Sequence, residues 1–284
     1  MTESRIFVHG LKAHADDMWA SALLIASRPE IKFTEIIRDA NRISEATEND
    51  FILDCGMKFD GIRLFDHHQL EHTEDVDCTL TLIAKTFAPW VLTDEKFGRM
   101  IERVRFQDNN GVPAAEKKFG KSAEWITSEF VLIGLFEEEP LKIANMLAEG
   151  FRKRLAEIEE TEKAEEWIKK NSHTEFLSGK IKVFVCEESP FKAGFSVKAC
   201  NEATNKYIFA NKIDISYGWN GDGSDTRTLF RTKFSTNNFD FTKSDPYNAI
   251  FCHNGGFLLI FDPVDKYEYR KLIIQAACSF NTIK

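Results

Sequence analysis

Histidine and aspartate residues that could bind metal ions are concentrated in the first 72 residues of this 284-residue sequence. Five of the seven histidines lie there, namely His9, His14, His67, His68 and His72. The run Asp66-His67-His68-Gln69 directly follows an apolar stretch, where consecutive polar side chains need a partner that offsets the cost of burying them. Imidazole nitrogens together with carboxylate oxygens suit Mn²⁺, Zn²⁺ or Fe²⁺. The residue types therefore predict a divalent metal site.

Short strands must position these side chains. Apolar patterns bounded by turn residues predict strands at 5–9, 33–38, 51–55 and 62–65. Helical periodicity begins near Asp16 and returns over 80–91, so strands and helices alternate, which predicts an α/β fold with a mainly parallel sheet. Ligands of such sheets bind at the carboxyl ends of the strands. Because His9, Asp54 and the Asp66-His67-His68 run each end a strand, we expect them to converge on one crevice.

The pattern changes along the rest of the chain. A predicted helix over 95–107 leads into Asp108, which should face inward, another is predicted over 122–136, and a charged stretch over 137–171 predicts one long connecting helix. Beyond a boundary near 171–180, strands are predicted at 181–186, 206–210, 228–234, 248–252 and 257–261, with a final helix over 266–278. These patterns predict a first domain over 1–136, a connecting segment over 137–175 and a smaller α/β domain over 176–284.

Composition excludes several classes of protein. The net charge of −8 argues against a protein that coats long nucleic acid through a broad basic face. No apolar run reaches the roughly 18 to 20 residues of a membrane span, and the first residues lack the pattern of a signal peptide. The six cysteines have no close paired spacing, which fits a reducing compartment. We therefore expect a cytoplasmic protein without a membrane segment.

Four motifs occur in a fixed order along the chain. They are His9-x4-His14-x-Asp16-Asp17, then Asp54, then Asp66-His67-His68-Gln69, then Asp108-Asn109-Asn110-Gly111. This order resembles the DHH phosphoesterase superfamily. The paired histidines of the first motif, the glutamine after the third and the Asp-Asn-Gly pattern of the fourth are similar to the branch named after the melanocyte proliferating gene product. The segment His253-Asn254-Gly255-Gly256 is similar to a turn near the carboxyl terminus of that branch, so the resemblance covers essentially the whole chain.

The resemblance implies a role for each matching residue. His9 and His14 would bind a first metal ion, and Asp54 would bridge it to a second ion. Asp16, His67 and Asp108 would complete the second site.

Beside these ligands, His68 would face the scissile phosphate, and Asp66 would orient the neighbouring histidine. Asp17 would lie outside the ligands. The second domain would bind substrate, and the residues considered for this are His253, Asn254, Gly255 and Arg231.

The activity that the resemblance implies is phosphodiester hydrolysis with two divalent cations, of which Mn²⁺ is favoured over Mg²⁺, Zn²⁺ and Fe²⁺. A 3′–5′ exonuclease acting on RNA or short oligonucleotides is the leading hypothesis. A small phosphorylated nucleotide, a cyclic dinucleotide or pyrophosphate is an alternative substrate, and a metal-binding interaction module with little turnover is an alternative from another class. Homo-oligomerisation is left open.

The sequence departs from the branch in its first motif. Ala15 and Asp17 stand where a Cys-Asp-Glu string is usual, and His9-Gly10-Leu11-Lys12 lacks the usual Asn-Gly turn. Taken singly, Asp54 and Asp108 would be ordinary turn or helix-end residues. Only the combination of the four motifs favours metal binding.

Overall fold

The computed structural model describes residues 2–69, 76–122, 125, 131–220, 226–235, 239–244, 249–254, 257–262, 265 and 267–278. The chain divides into two compact units, Met1–Arg154 and Leu155–Lys284. Each unit has its own sheet.

The sheet of the first unit is fully parallel. Its strands are β1 (Thr2–Val8), β2 (Ile31–Arg38), β3 (Phe51–Leu53) and β4 (Leu64–Phe65). Their order across the sheet is β2-β1-β3-β4, and all three pairings are parallel. The predicted α/β fold with a parallel sheet is therefore confirmed.

The chain reverses its direction of travel across this sheet between β1 and β3. From β1 it passes through a helix to β2 on one side, and it then continues to β3 on the other side of β1. Such a switch point opens a crevice at the carboxyl ends of the two central strands. His9 directly follows β1 and Asp54 directly follows β3.

Both faces of the sheet are covered. Ile6, Val8 and Leu53 pack in the large core of the unit, whereas the alternating residues Phe7 and Ile52 belong to a smaller cluster. Successive side chains of a strand point to opposite faces, which explains this division. Strand segments buried on both sides read as continuous apolar runs, as the end of β1 (residues 6–8) and the whole of β3 do.

In the first unit one α-helix lies between β1 and β2, and the other described α-helices follow β4. In chain order the helices are α1 (Ala15–Ser27), α2 (Thr79–Phe87), α3 (Trp90–Thr93), α4 (Glu95–Asn110), α5 (Val112–Phe119), α6 (Ile133–Glu138) and the start of α7 (Pro140–Asn171). The side chain of Asp94 caps α4 by accepting from the backbone N–H groups of Lys96 and Phe97, both at 3.0 Å. The helix ends at Gly111, whose φ is 80°. Asp108 therefore lies in the last turn of α4.

The helix α7 occupies most of the stretch for which the sequence predicts a connecting helix. The division between the two units falls within it, at Arg154 and Leu155. The helix predicted over 122–136 lies partly outside the described residues, and α6 accounts for its end. In the described part of the chain, no helix combines the length and apolar character that membrane crossing requires.

The second unit contains a six-stranded mixed sheet. Its strands are β5 (Ser172–Leu177), β6 (Ile181–Cys186), β7 (Ile215–Trp219), β8 (Arg227–Arg231), β9 (Ala249–Cys252) and β10 (Leu258–Phe261). The order is β5-β6-β7-β8-β10-β9, and only β6 and β7 pair in parallel. The helices α8 (Val197–Asn211) and α9 (Glu268–Cys278) pack in separate apolar clusters with alternate residues of β6.

The strand predicted over 206–210 is wrong, because these residues form the end of α8. Ser196 caps that helix by accepting from the N–H of Ala199 at 3.2 Å, and Ala199, Ala203 and Ile208 are buried along it. A short apolar run does not distinguish a strand from a buried helix segment, and the longer helical period decides here. The strands β5 and β7 were not predicted.

Candidate metal centre

The predicted metal-binding side chains of the first unit converge at the carboxyl edge of its sheet. Three strand ends contribute His9, Asp54 and the Asp66-His67-His68 run, and α4 contributes Asp108 from its last turn. His14 is the N-cap of α1, and Asp16 and Asp17 lie in the first turn of that helix. Three overlapping groups of donor atoms result.

The first group contains two imidazoles and two carboxylates. The Nε2 atoms of His9 and His14 lie 2.8 Å apart. Asp17 Oδ2 lies 3.0 Å from His9 Nε2, and Asp54 Oδ2 lies 3.5 Å from His9 Nε2 and 3.3 Å from His14 Nε2. All four donor atoms therefore face a common point.

The second group lies on the other side of Asp54. His67 Nε2 is 3.2 Å from Asp54 Oδ1 and 3.0 Å from Asp108 Oδ2. Asp16 joins His67 and Asp108 in this group. One oxygen of Asp54 thus faces the first pair of histidines and the other faces His67, which is the arrangement that a bridging carboxylate requires.

The backbone at Asp54 turns sharply to bring its side chain between the two groups. Its φ is 53°, in the left-handed region that aspartate tolerates better than most residues. Thr79 Oγ1 donates a hydrogen bond to Asp54 Oδ1 at 3.2 Å. The carboxylate is buried, so this strained position is held by the surrounding structure.

Asp16 is also tied to the start of α2. Its two oxygens accept hydrogen bonds from the backbone N–H groups of Thr79 at 2.9 Å and Leu80 at 2.8 Å. Sequence reasoning did not include Thr79, which contacts both Asp16 and Asp54. A threonine at a helix start is common, and no local signal connects it with a carboxylate 63 residues away.

His68 is the exposed member of the centre, with half of its side chain accessible. Its Nδ1 lies 2.7 Å from Asp66 Oδ1, and Asp66 also accepts from the backbone N–H groups of Met57 and His68. The orienting role expected for Asp66 stays a prediction. Because Nδ1 is held by that carboxylate, Nε2 is the nitrogen left to meet a ligand.

Electrostatic coupling within the cluster is strong. Burial opposes the charged form of His14, but contacts with Asp54 and Asp17 outweigh it and raise the pKa of His14 to about 10. For His67 burial is likewise outweighed, by Asp108 and Asp54, and its pKa also rises to about 10. Burial opposes ionisation of Asp54 too, but His14 and His67 hold its pKa well below the usual range.

Asp16 behaves in the opposite way. Burial, together with the neighbouring carboxylates of Asp108 and Asp54, raises the pKa of Asp16 to about 7. The surroundings of Asp16 therefore disfavour its negative charge, and a bound cation would offset this. Since metal ligands bind in their deprotonated forms, a cation at this centre competes with the protons on these groups.

The donor atoms fit divalent cations. Carboxylate oxygens Asp17 Oδ1, Asp54 Oδ2 and Asp108 Oδ2 are buried and accept no hydrogen bond from the described residues. Ligand bonds of about 2.1 Å place neighbouring donor atoms about 3.0 to 3.4 Å apart. The separations in the first group, 2.8 to 3.9 Å, bracket that range. Two imidazoles with two carboxylates suit Mn²⁺, Zn²⁺ or Fe²⁺.

A pocket of about 470 Å³ opens over the second group. Its wall includes the side chains of His14, Asp16, His67, His68 and Asp108. Val76, Val104 and Val112 add apolar surface, and Gln107 and Asn109 add amide groups. Asn109 belongs to the fourth motif, whereas Val76, Val104, Gln107 and Val112 belong to none of the four motifs.

The substrate-binding residues predicted in the second unit remain a prediction. Arg231 Nη1 donates to the carbonyl oxygen of Phe239 at 2.8 Å, so part of its guanidinium is used within the unit. The ring of His253 lies 4.0 Å from that of Phe257, centroid to centroid, and Asn254 follows in an exposed turn. Gly255 lies outside the described residues.

Two comparisons with known proteins found a match, and the family match lies within the first unit. The family model MYG1_exonuc, described as an uncharacterised protein family (UPF0160), matches residues 5–84. No curated protein matches the chain. A solved structure titled as a DHH domain from a member of the s1p family of ribosomal proteins is similar at 14% identity, with 99% of this chain and 87% of that chain covered and a TM-score of 0.33. The structural likeness is too distant to argue from, whereas the family match spans the first three motifs and confirms the resemblance there.

Proposed function

We propose that this chain, whose residues 5–84 match the family model MYG1_exonuc and whose motifs follow the order of the melanocyte proliferating gene branch of the DHH superfamily, is a two-metal phosphodiesterase acting as a 3′–5′ exonuclease on RNA or short oligonucleotides. The observation that carries the proposal is the position of Asp54. Its two oxygens face two separate donor groups.

The residues that would hold the two ions are those of the two donor groups. His9, His14 and Asp54 would hold the first ion, and Asp54, His67, Asp108 and Asp16 the second. When bound, such a pair of cations lowers the pKa of a water molecule and neutralises the charge that grows on phosphate oxygens during in-line attack. Mn²⁺ is the cation that we propose.

His68 is placed to act on the phosphate. It lines the pocket beside the second donor group, and Asp66 holds its Nδ1, so Nε2 can donate a hydrogen bond to a phosphate oxygen or a proton to the leaving oxygen. Asp66 has both oxygens engaged by N–H groups and therefore supports the ring in one orientation.

Short substrates suit this protein better than long ones. Binding to long nucleic acid draws mainly on many cationic contacts, and the chain has a net charge of −8. The pocket of about 470 Å³ is of the size that holds a small ligand. A strand end could enter it, which supports cleavage from an end rather than within a strand.

The same pocket supports a second candidate. A small phosphorylated nucleotide, a cyclic dinucleotide or pyrophosphate would fill a space of this size without needing a polymer track. The chemistry would be unchanged, because the donor groups require only a phosphoryl group.

The test uses RNA of several nucleotides labelled at its 5′ end, with metal-stripped protein resupplied with Mn²⁺. Stepwise shortening of the labelled strand is expected, and Asp54→Asn serves as the blank. Glu48→Gln, which neutralises an exposed carboxylate of the same unit, is the matched control and should cleave like the unmodified chain. Cleavage of small nucleotides alone would favour the second candidate, and no product from either substrate class would refute the phosphodiesterase.

A further inference from the structure

We propose that Asp17 is a direct ligand of the first metal ion, so that the first site is closed by four protein donors and binds its ion tightly, while the second site exchanges its ion readily. The proposal rests on the proposed function only in taking two divalent cations at this centre. It assigns Asp17 a role different from the one that the family resemblance implies.

The nitrogen that Asp17 contacts distinguishes a ligand from an orienting residue. A carboxylate that orients a metal-binding histidine accepts from the ring nitrogen that does not bind the metal. Asp17 Oδ2 instead lies 3.0 Å from His9 Nε2, the nitrogen that also faces His14 Nε2 and Asp54 Oδ2. His9 Nδ1 is buried and has no hydrogen-bond partner among the residues that the structure describes.

Asp66 shows the contrasting arrangement in the same centre. It contacts His68 through Nδ1 at 2.7 Å, and its oxygens also accept from two backbone N–H groups. Asp17 has a single long backbone contact, from His14 N at 3.4 Å, and its Oδ1 accepts no hydrogen bond from the described residues. Asp66 is therefore held mainly by N–H donors, whereas Asp17 lies beside the imidazole nitrogens that would bind the first ion.

Four donor atoms around one point complete a common coordination set. Asp17 Oδ2 is 3.9 Å from His14 Nε2, which adds to the shorter separations within the group. All four atoms lie within 4.8 Å of one another. Four protein ligands are the usual complement of a closed metal site. The second group also offers four donors when Asp54 is counted, but both oxygens of Asp16 already accept hydrogen bonds from the start of α2.

The pocket, rather than burial, separates the two sites. Asp16, His67 and Asp108 of the second group all line it, whereas His14 is the member of the first group that does. The side chains of Asp17, Asp54 and His9 are 0%, 1% and 13% exposed, and that of His14 is 36% exposed. Asp16 additionally shares its oxygens with the start of α2. The second ion would therefore be bound by partly engaged ligands beside solvent, and its dissociation would be faster.

The experiment measures bound metal rather than turnover. Full-length, metal-stripped protein is dialysed to equilibrium against increasing free Mn²⁺, and bound metal is counted by mass spectrometry. We expect two binding steps separated by at least ~10-fold in affinity. Asp17→Asn should weaken the tighter step by more than ~100-fold, since removal of an orienting partner costs about 10- to 100-fold and this change removes a charged ligand. Asp108→Asn should remove only the weaker step.

Asp66→Asn is the matched control, because it neutralises a buried aspartate of the same centre whose ring contact is with Nδ1 of His68 and whose other contacts are backbone N–H groups. It should leave the tighter step unchanged. The proposal is overturned if Asp17→Asn retains the tighter step, or if the two steps of the unmodified protein have equal affinity.

A gain-of-signal variant covers the case in which Asp17→Asn does not fold. Asp17→Cys places a thiol at the same position, and a thiolate that binds Cd²⁺ directly produces an ultraviolet charge-transfer band. One equivalent of Cd²⁺ should produce that band in Asp17→Cys and not in the unmodified protein, whose cysteines supply the background. Folded Asp17→Cys that binds Cd²⁺ without the band contradicts the proposal.

The outcomes are separable from those of the proposed function. Two unequal binding steps without RNA cleavage would refute the exonuclease and support the ligand assignment. RNA cleavage together with an unchanged tighter step in Asp17→Asn would support the exonuclease and refute the ligand assignment.

Discussion

Two buried aspartates stand at opposite ends of the three-residue strand β3, and they have different surroundings. Asp50, at the amino end, accepts from the backbone N–H of Arg5 at 2.7 Å, from its Nη2 at 2.8 Å and from Thr47 N at 2.8 Å. Asp54, at the carboxyl end, faces imidazoles, and its Oδ2 accepts no hydrogen bond from the described residues. Burial alone therefore does not separate a structural carboxylate from a candidate metal ligand, whereas the donors around it do.

Parallel pairing explains the difference. All carboxyl ends of the first sheet lie on one edge, so polar residues that follow three strands meet there, and the amino ends lie on the opposite edge. In the mainly antiparallel sheet of the second unit, strand ends of both kinds share each edge. In that unit the carboxylate of Glu175 accepts hydrogen bonds from Tyr269 and Arg270, so its hydrogen-bonding partners come from within the unit.

The largest effect is expected for Asp54→Asn. It removes the charge shared by the two donor groups while keeping a residue that tolerates a positive φ, so turnover should fall by at least ~1,000-fold and the protein should remain folded. Initial rates on labelled RNA and circular dichroism measure the two effects. Retained turnover would show that Asp54 is not a metal ligand and does not differ in this respect from Asp50.

Next in size is the effect of His68→Ala. The loss of a positioned proton donor is expected to lower kcat by about 100-fold or more without changing the number of bound ions. His67→Ala, by contrast, should reduce bound Mn²⁺ from two ions to one. Metal analysis of both variants checks this contrast, with the exposed His173→Ala of the second unit as control. Loss of an ion in His68→Ala would contradict it.

Asp50→Asn should affect stability rather than metal content. Burial opposes ionisation of Asp50, but hydrogen bonds from Arg5 and Thr47 outweigh it and lower its pKa from 3.8 to about 2. The ionised carboxylate therefore stabilises the fold above pH 4 by about 2 kcal/mol, and this contribution disappears as the pH falls from 4 to 2.

Urea unfolding at several pH values tests this. Asp50→Asn should be less stable than the unmodified chain at pH 7, and the two should approach each other near pH 2. Glu48→Gln provides the exposed control. A difference that persists unchanged at pH 2 would assign the effect to packing instead of charge.

The smallest effect is expected for Thr79→Val, which keeps the shape of the side chain but removes its hydrogen bonds to Asp54 Oδ1 and the carbonyl of Phe65. We expect a loss of about 1 kcal/mol in unfolding free energy and up to ~10-fold in turnover. Thr86→Val, in the same helix, removes a hydroxyl that bonds only the carbonyl of Leu82 and should leave turnover unchanged. Equal rates in both variants would show that Thr79 does not position Asp54.

Much of the first unit could be predicted because its signals are local. Short apolar runs mark the end of β1 and the whole of β3, and a capping aspartate and a terminal glycine mark α4. The second unit was predicted less well. Its strand β5 begins at Ser172, immediately after the last residue of α7, so no loop separates the two elements. The end of α8 has the composition of a strand.

The sequence by itself determined which side chains can bind metal and that parallel strands deliver them to one edge, because both follow from residue type and local pattern. Only the tertiary structure decided that Asp17 faces the first pair of histidines while Asp16 joins His67 and the start of α2. These neighbouring residues point in different directions because they occupy successive positions on a helix, and their partners lie up to 92 residues away in Asp108. Packing, rather than local pattern, brings such distant residues together.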